Sequence, residues 1–227
     1  MRANWAASDH ALSVREKAFP MGIFSNRCGR LTDQKLMQGV QRRDTSAFDE
    51  LYSRYSRRLL SYFHRELGGD GQKAQDFLQD LFLKIVEKPD SFDTSKNFST
   101  WIFTVAYNMC KNEYRRLDVR RNTEENVRME QVTQHSEAHG RNPEQRMDQD
   151  KFETALLAEL QELGDGHRSA FLLRHQQNLS IKEIAEVLGC SEGTVKSRLF
   201  YATQKLAARL KAFNPYPTEV SKNEKSE

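Results

Sequence analysis

Residues 180–210, SIKEIAEVLGCSEGTVKSRLFYATQKLAARL, restrict the fold more than any other stretch, because two amphipathic helices are written there with their caps and connecting turn. Ser180 followed by Glu183 has the spacing of a capping box, in which each residue satisfies an orphan amide of the other. Ile181, Ile184, Ala185 and Leu188 recur at helical spacing and give the first helix one apolar face. Gly189 stands where a left-handed residue closes a helix, and Ser191 can cap the next one. In that second helix Val195, Leu199, Ala202, Leu206 and Leu210 recur at steps of three or four, which turns Lys196, Ser197, Phe200 and Tyr201 outward. The pattern predicts a helix-turn-helix.

Charge is concentrated on the same element. Between Ser191 and Lys211 stand Lys196, Arg198, Lys205, Arg209 and Lys211 against Glu192 alone, a balance of +4 in a chain whose net charge is +3. Lys and Arg neutralise phosphates wherever they lie, whereas polar side chains on the first turns of such a helix are the ones that reach base edges in a major groove. The alternative is an amphipathic hairpin with a solvated basic face. Agreement of cap, turn glycine, apolar period and charge favours DNA.

With 227 residues, 37% hydrophobic and 30% charged, the chain suits two small helical domains better than one large core. No apolar run is long enough to span a membrane, and residues 1–20 carry scattered charges where a signal sequence would be apolar, so a cytoplasmic protein without direct membrane insertion is expected. Cys28, Cys110 and Cys190 are too far apart for a zinc ligand set, and the histidines are equally dispersed, so neither a metal nor another cofactor is expected. Glycine-rich phosphate loops, G-x-S-x-G and H-E-x-x-H are missing from the sequence, and nothing in it suggests a catalytic constellation.

Along the chain, residues 1–41 read as a weakly structured extension with at most a short helix from Asp33 to Val40, and Met21 offers an alternative start. Ser46 is expected to cap a helix lined by Phe48, Leu51, Tyr52, Tyr55, Leu59, Leu60 and Phe63, ended by Gly68 to Gly71. From Ala74 to Glu87 a second helix turns Phe77, Leu78, Leu81, Ile85 and Val86 inward and leaves Asp76, Gln79, Asp80 and Lys84 opposite. Pro89 to Asn97 forms a polar loop. Phe98 to Leu117 is a long helix, capped by Asn97 or Ser99, with Ile102, Val105, Ala106, Met109 and Cys110 inward. Its Phe98, Trp101, Phe103 and Tyr107 lie near Lys111, Arg115, Arg116, Arg120 and Arg121. Rings beside a cationic track suit single-stranded nucleic acid, although rings at helical spacing also suit a core.

In residues 122–150 seven acids stand against three arginines, few residues could form a core, and a flexible acidic linker is expected. Helical periodicity resumes from Lys151 to Leu163 and again from His167 to about Gln176. The fold class expected is therefore all-α: region 42–121, a linker, a four-helix C-terminal domain over 151–211 containing the helix-turn-helix, and a polar tail over 212–227.

Four blocks, in order, resemble one family. AFDELYSRYSRRLLSYF, AQDFLQDLFLKIV, FSTWIFTVAYNMCKNEYRR and EIAEVLGCSEGTVKSRLFYA are similar to the conserved segments of extracytoplasmic-function (ECF) sigma factors, the short two-domain subunits of bacterial RNA polymerase. The last block alone is shared with other bacterial regulators; the order of all four is specific. Asp80 stands where the family more often has Glu, Gln75 replaces a frequent acid, and the lead before the first block is long. The resemblance implies that Asp76, Gln79, Asp80 and Phe82 contact core polymerase. It implies a minus-10 and melting surface at Phe98, Trp101, Asn108, Lys111, Arg115 and Arg116, with residues 91–97 as the loop that captures a flipped base. Minus-35 DNA falls to Ser191, Thr194, Lys196, Ser197, Arg198, Phe200 and Tyr201. Core RNA polymerase, promoter DNA and an anti-sigma protein are the implied partners, and no enzyme activity is implied. A free-standing helix-turn-helix regulator is the other reading.

Overall fold

A computed structural model describes residues 28–123 and 143–213, and every regular element among them is helical. The N-terminal module holds α1 (Asp33–Gln41), α2 (Thr45–Glu66), α3 (Gly71–Glu87) and α4 (Phe98–Thr123), with a single 3₁₀ turn, Pro89–Ser91, ahead of α4. The C-terminal module holds α5 (Pro143–Gln161), α6 (Asp165–His175), α7 (Ile181–Leu188) and α8 (Glu192–Arg209).

Helix α1 lies where a short helix from Asp33 to Val40 was expected, and it packs into the core of the N-terminal module. Thr32 caps it, and Leu36, Met37 and Val40 are buried against α2. Arg54 of α2 fixes the preceding turn: its guanidinium donates to the Asp33 carboxylate at 2.7 Å and to the carbonyls of Gly29 and Leu31 at 3.1 and 3.0 Å. Short apolar periodicity over nine residues gave little sign of this anchoring.

The cap of α2 is Asp44, whose carboxylate accepts from the Ser46 amide at 2.9 Å, so the helix starts just before the expected Ser46. Asp70 does the same for α3, accepting from the Lys73 amide at 2.9 Å. Between them Gly68 and Gly69 take positive φ, 76° and 90°, a backbone that side-chain-bearing residues resist. Asn97 Oδ1 accepts from the Thr100 amide at 3.1 Å, as expected of a cap, and α4 runs to Thr123, beyond the expected Leu117. Phe103, expected among the aromatics beside the basic track, is wholly buried together with Ile102 and Ala106. Val86, expected inside, is 38% exposed.

Helix α5 begins at Pro143, inside the stretch read as linker; proline suits the first helical position because its missing amide would be unpaired there anyway. The rest of the linker, residues 124–142, lies outside the described residues, as do 1–27 and 214–227. The two modules pack together: α4 lies against α7, and α2 against α5 and α6.

Candidate nucleic-acid interface

The helix-turn-helix forms from the local chemistry read in the sequence. The Glu183 amide donates to Ser180 Oγ at 3.2 Å while Glu183 Oε2 accepts from the Ser180 amide at 2.8 Å, completing the capping box. Gly189 takes φ 61°, ψ 42° and closes α7. Ser191 Oγ then accepts from the Thr194 amide at 3.1 Å and opens α8. Ile184, Val195, Ala202 and Leu206 are buried, so the two helices share one apolar seam.

Along α8 the residues expected at DNA divide into two sets. Ser191, Lys196, Ser197, Phe200 and Tyr201 are exposed, with Phe200 at 70%, and they form one polar, aromatic and cationic face. Thr194 and Arg198 are half-buried. The Arg198 guanidinium folds back over the start of α6, so close to Gly166 that a Cβ there would stand 2.8 Å from its Cζ, and Nη1 lies 3.7 Å from the Cys190 sulfur. Tyr201 lies against His167, the rings tilted by 54° with centroids 4.9 Å apart. Partial burial, with Arg198 and Lys205 nearby, holds the His167 imidazole below its ordinary value.

On the N-terminal module the expected single-strand surface also divides. Phe98 is 1% exposed and sits edge-on to Tyr55 and Phe92, at 5.2 Å from each, so its ring is core packing and not an open stacking platform. Trp101 is half-buried, 5.0 Å from Phe92, and reaches the surface that Phe98 does not. Asn108, Lys111, Arg115 and Arg116 are exposed along the following turns of α4. Lys111 lies 6.0 Å from the Tyr107 ring, and Arg116 is paired with Glu113 at 2.9 Å.

Helix α3 presents Asp76, Gln79 and Asp80 to solvent, with Leu83 at 55% exposure on the next turn. Phe82, expected on the same face, is 4% exposed and packs edge-on to Phe48 at 5.9 Å and tilted against Tyr52 at 4.8 Å. Steps of three and four residues put Phe82 on the stripe of Leu78 and Ile85, a core position. The accessible aromatic of that cluster is Tyr52, which is 44% exposed.

Sequence reasoning missed a cluster between the modules. Glu66 at the end of α2 is fully buried; Arg168 Nε of α6 donates to it at 3.0 Å and Ser169 Oγ at 2.5 Å. The Arg168 guanidinium also lies 4.9 Å from the Tyr114 ring, and the Tyr114 hydroxyl donates to the Glu66 carbonyl. Burial pushes the Glu66 carboxyl up, and Arg168 with Ser169 draws it back. The available signal was Glu66 standing three and four residues after Phe63 and Tyr62, on an otherwise apolar stripe.

Among the described residues no group of three or more His, Cys, Asp or Glu could hold a metal ion, and no helix is long and apolar enough to cross a membrane. A helical module with a half-buried tryptophan that reaches the surface and exposed cations further along the same helix, joined to a helix-turn-helix with a cationic outer face, defines a two-module nucleic-acid-binding protein. Residues 51–120 match sigma-70 region 2, and residues 153–206 match sigma-70 region 4. The RNA polymerase sigma-H factor of Pseudomonas aeruginosa is 34% identical over 176 residues, covering 76% of this chain and 90% of that protein. The ECF RNA polymerase sigma-E factor of Escherichia coli is 33% identical over 181 residues, covering 77% and 92%. Among solved structures, the sigma factor RpoE of Bartonella quintana, determined with the anti-sigma factor NepR, aligns with a TM-score of 0.54 at 28% identity over 67% of this chain and 89% of that one. The structure of CnrH with the cytosolic domain of CnrY shares the fold, with a TM-score of 0.59 at 24% identity over 79% of this chain and 97% of that one. The chain belongs to the ECF group of the sigma-70 family of RNA polymerase sigma factors.

Proposed function

We propose that this chain is a cytoplasmic promoter-specificity subunit: it binds core RNA polymerase, directs it to minus-35 and minus-10 elements and opens the promoter. The observation that carries the reading is the pairing of both family regions, in order, with an exposed cationic face on α8. Lys196, Ser197, Phe200 and Tyr201 would enter the major groove at minus 35, where the first turns of a recognition helix meet base edges. Ser191 and Thr194 would contact the backbone beside it, and Arg198 would swing from Gly166 to a phosphate. Trp101, with the polar loop 91–97, would meet the melted strand, while Asn108, Lys111, Arg115 and Arg116 would follow its phosphates. Phe98 would support Trp101 from beneath.

Core polymerase would cover the acidic and amide face of α3, Asp76, Gln79 and Asp80, together with exposed Tyr52, Leu83 and Val86; Phe82 would hold that face from inside. Two of the similar structures hold a partner protein, NepR beside RpoE and the cytosolic domain of CnrY beside CnrH, and an anti-sigma protein acting on this chain is the corresponding expectation. Purified chain combined with core polymerase on a promoter library tests the function. Promoter-dependent transcripts are expected only when both are present; tight promoter binding by the chain alone, with no transcript, would make it a free-standing regulator.

A further inference from the structure

The backbone between α3 and α4 is held from outside by one short helix. Residues 88–97 make two tight turns of their own: the Ser91 amide donates to the Lys88 carbonyl at 3.0 Å, and the Lys96 amide donates to the Asp93 carbonyl at 2.9 Å. Within the second turn the Asp93 carboxylate accepts from the Ser95 amide at 3.0 Å. Both turns are clipped to α1. Gln41 Nε2 donates to the Pro89 carbonyl at 3.2 Å and to the Phe92 carbonyl at 3.3 Å, so one amide group brackets the first turn. Gln34 Nε2 donates to the Lys96 carbonyl at 3.3 Å and holds the end of the second. Gln34 and Gln41 lie two helical turns apart along one face of α1, about 10 Å in rise, which matches the two turns they hold.

Helix α1 is itself fixed. Besides the Arg54 anchor at its start, it closes on α2 through Gly39, where a Cβ would stand 2.6 Å from the Ala47 Cβ. Arg43, in the corner that follows, takes φ 64° and donates through Nη1 to the Val86 carbonyl at 3.2 Å, tying the corner to the end of α3. A left-handed backbone at a residue other than glycine persists only where its surroundings determine it. The clips leave side chains free: Ser91, Asp93, Ser95, Lys96 and Asn97 are exposed. Phe92 between them is 1% exposed and lies 5.2 Å from the Phe98 ring and 5.0 Å from the Trp101 ring. The bond from Gln41 to the Phe92 carbonyl therefore reaches the tryptophan through a single ring.

We propose that Gln41 and Gln34 are positioning residues for the melted strand: from α1 they fix residues 88–97 and, through Phe92, the Trp101 ring, in an arrangement that accepts one unpaired base and rejects the others. The inference rests on the sigma-factor reading above, in which this loop and Trp101 meet the single strand. Both glutamines precede residues 51–120, the stretch that matches sigma-70 region 2. A base taken out of the stack is read by hydrogen bonds to its edge and by stacking, and such contacts discriminate only when the groups making them are held to within about 0.5 Å. Ordering the loop beforehand also removes the entropy loss of ordering it on the strand.

Two measurements on the full chain test the proposal: transcription with core polymerase from promoters randomised at the minus-10 element, and quenching of Trp101 fluorescence without polymerase or DNA. Gln41→Met keeps the length of the side chain and removes its donor, so the preference for the best base over the others should fall on the order of ten-fold, the range of two lost neutral hydrogen bonds. Gln41→Lys, whose ammonium can donate to both carbonyls, should keep the preference even where its charge tightens binding to every sequence. In a Trp5→Phe background Trp101 is the remaining tryptophan, and its quenching by acrylamide should rise with Gln41→Met and not with Gln41→Lys. Gln34→Met frees only the Lys96 end and should give a smaller loss; it takes the place of Gln41→Met if that variant unfolds by circular dichroism at the assay temperature. Unaltered base preference or unaltered quenching in the folded methionine variants, whatever their melting temperature, would overturn the proposal and leave the glutamines a structural role. A wild type that yields no transcript with core polymerase fails the sigma-factor reading instead, and the quenching comparison still decides whether α1 places Trp101.

Discussion

Phe98 and Trp101, one helical turn apart on α4, lie with ring centroids 5.6 Å from each other, yet one ring is sealed in the core and the other reaches the surface. Phe98 meets Tyr55 and Phe92 on its inner side, so it transmits the position of α2 and the Pro89–Ser91 turn to the tryptophan above it. The two residues should therefore fail in different ways. Phe98→Ala is expected to cost about 3–5 kcal/mol of stability, the usual range for a buried aromatic, and to lower the melting temperature of the N-terminal module. Trp101→Ala should cost less stability and impair promoter opening more than closed-complex binding, with a pre-melted template recovering the loss. Equal loss on melted and duplex templates would remove Trp101 from the single-strand surface.

On α8 the contrast is between Lys196 and Arg198. Lys196 is exposed, so Lys196→Ala should leave stability within about 0.5 kcal/mol. If it contacts a phosphate it should weaken promoter binding across sequences and reduce the salt slope by about 1. If it reads a base, about 1–3 kcal/mol should vanish at one position only. Arg198 instead packs over Gly166 and Cys190, so Arg198→Ala should lower both DNA binding and the stability of the C-terminal module. Gly166→Ala should reproduce part of the effect, since its new methyl group would displace the guanidinium. Titrating promoter fragments at several salt concentrations, alongside thermal melts, separates these contributions.

The helix-turn-helix was legible because its information is local: Ser180, Glu183, Gly189 and Ser191 act on backbone groups within a few residues, and the apolar period is clean. Phe82, Phe98 and Phe103 were not, because an aromatic at helical spacing suits either a core or a ligand face, and only the neighbouring helices decide. Glu66 and Arg168 illustrate the same limit at longer range. Their pairing joins positions 102 residues apart, and no window of sequence contains both. The anchoring of helix α1, though not its existence, was hidden for a related reason, since Arg54 and Asp33 secure it through a contact between separate elements.

Acid should loosen the start of α6. The imidazole of His167 is held below its ordinary value of 6.5 in the folded chain by burial, Arg198 and Lys205, so the folded state disfavours its proton relative to the unfolded state. Its contribution is present above the unfolded value and is lost as pH falls through 6.5 toward the folded one. The melting temperature of the wild type should therefore drop more between pH 7.5 and about 5.5 than that of His167→Gln. Parallel curves for the two proteins would show that His167 does not couple to folding in this range.

The face of α3 separates surface from support most cleanly. Asp76 and Asp80 are four residues apart and exposed, whereas Phe82 points to the other side and carries the packing of Phe48 and Tyr52. Reversing both acids to lysine should leave helicity and melting nearly unchanged, because both are exposed and Asp76 accepts a surface hydrogen bond from Gln72 at 3.1 Å. Polymerase affinity should fall about tenfold or more, a change of about 1.4 kcal/mol, and mainly through the association rate if the acids lie at the rim of the contact. Tyr52→Ala or Leu83→Ala should instead speed dissociation, as expected of apolar anchors at the centre of an interface. Phe82→Ala should lower stability by about 3–5 kcal/mol and affinity only in proportion to the unfolded fraction. Competition for core polymerase against a labelled sigma factor, read together with circular dichroism, resolves all four variants. If the double charge reversal competes as well as the wild type, the acidic face of α3 is solvated surface and polymerase must bind elsewhere.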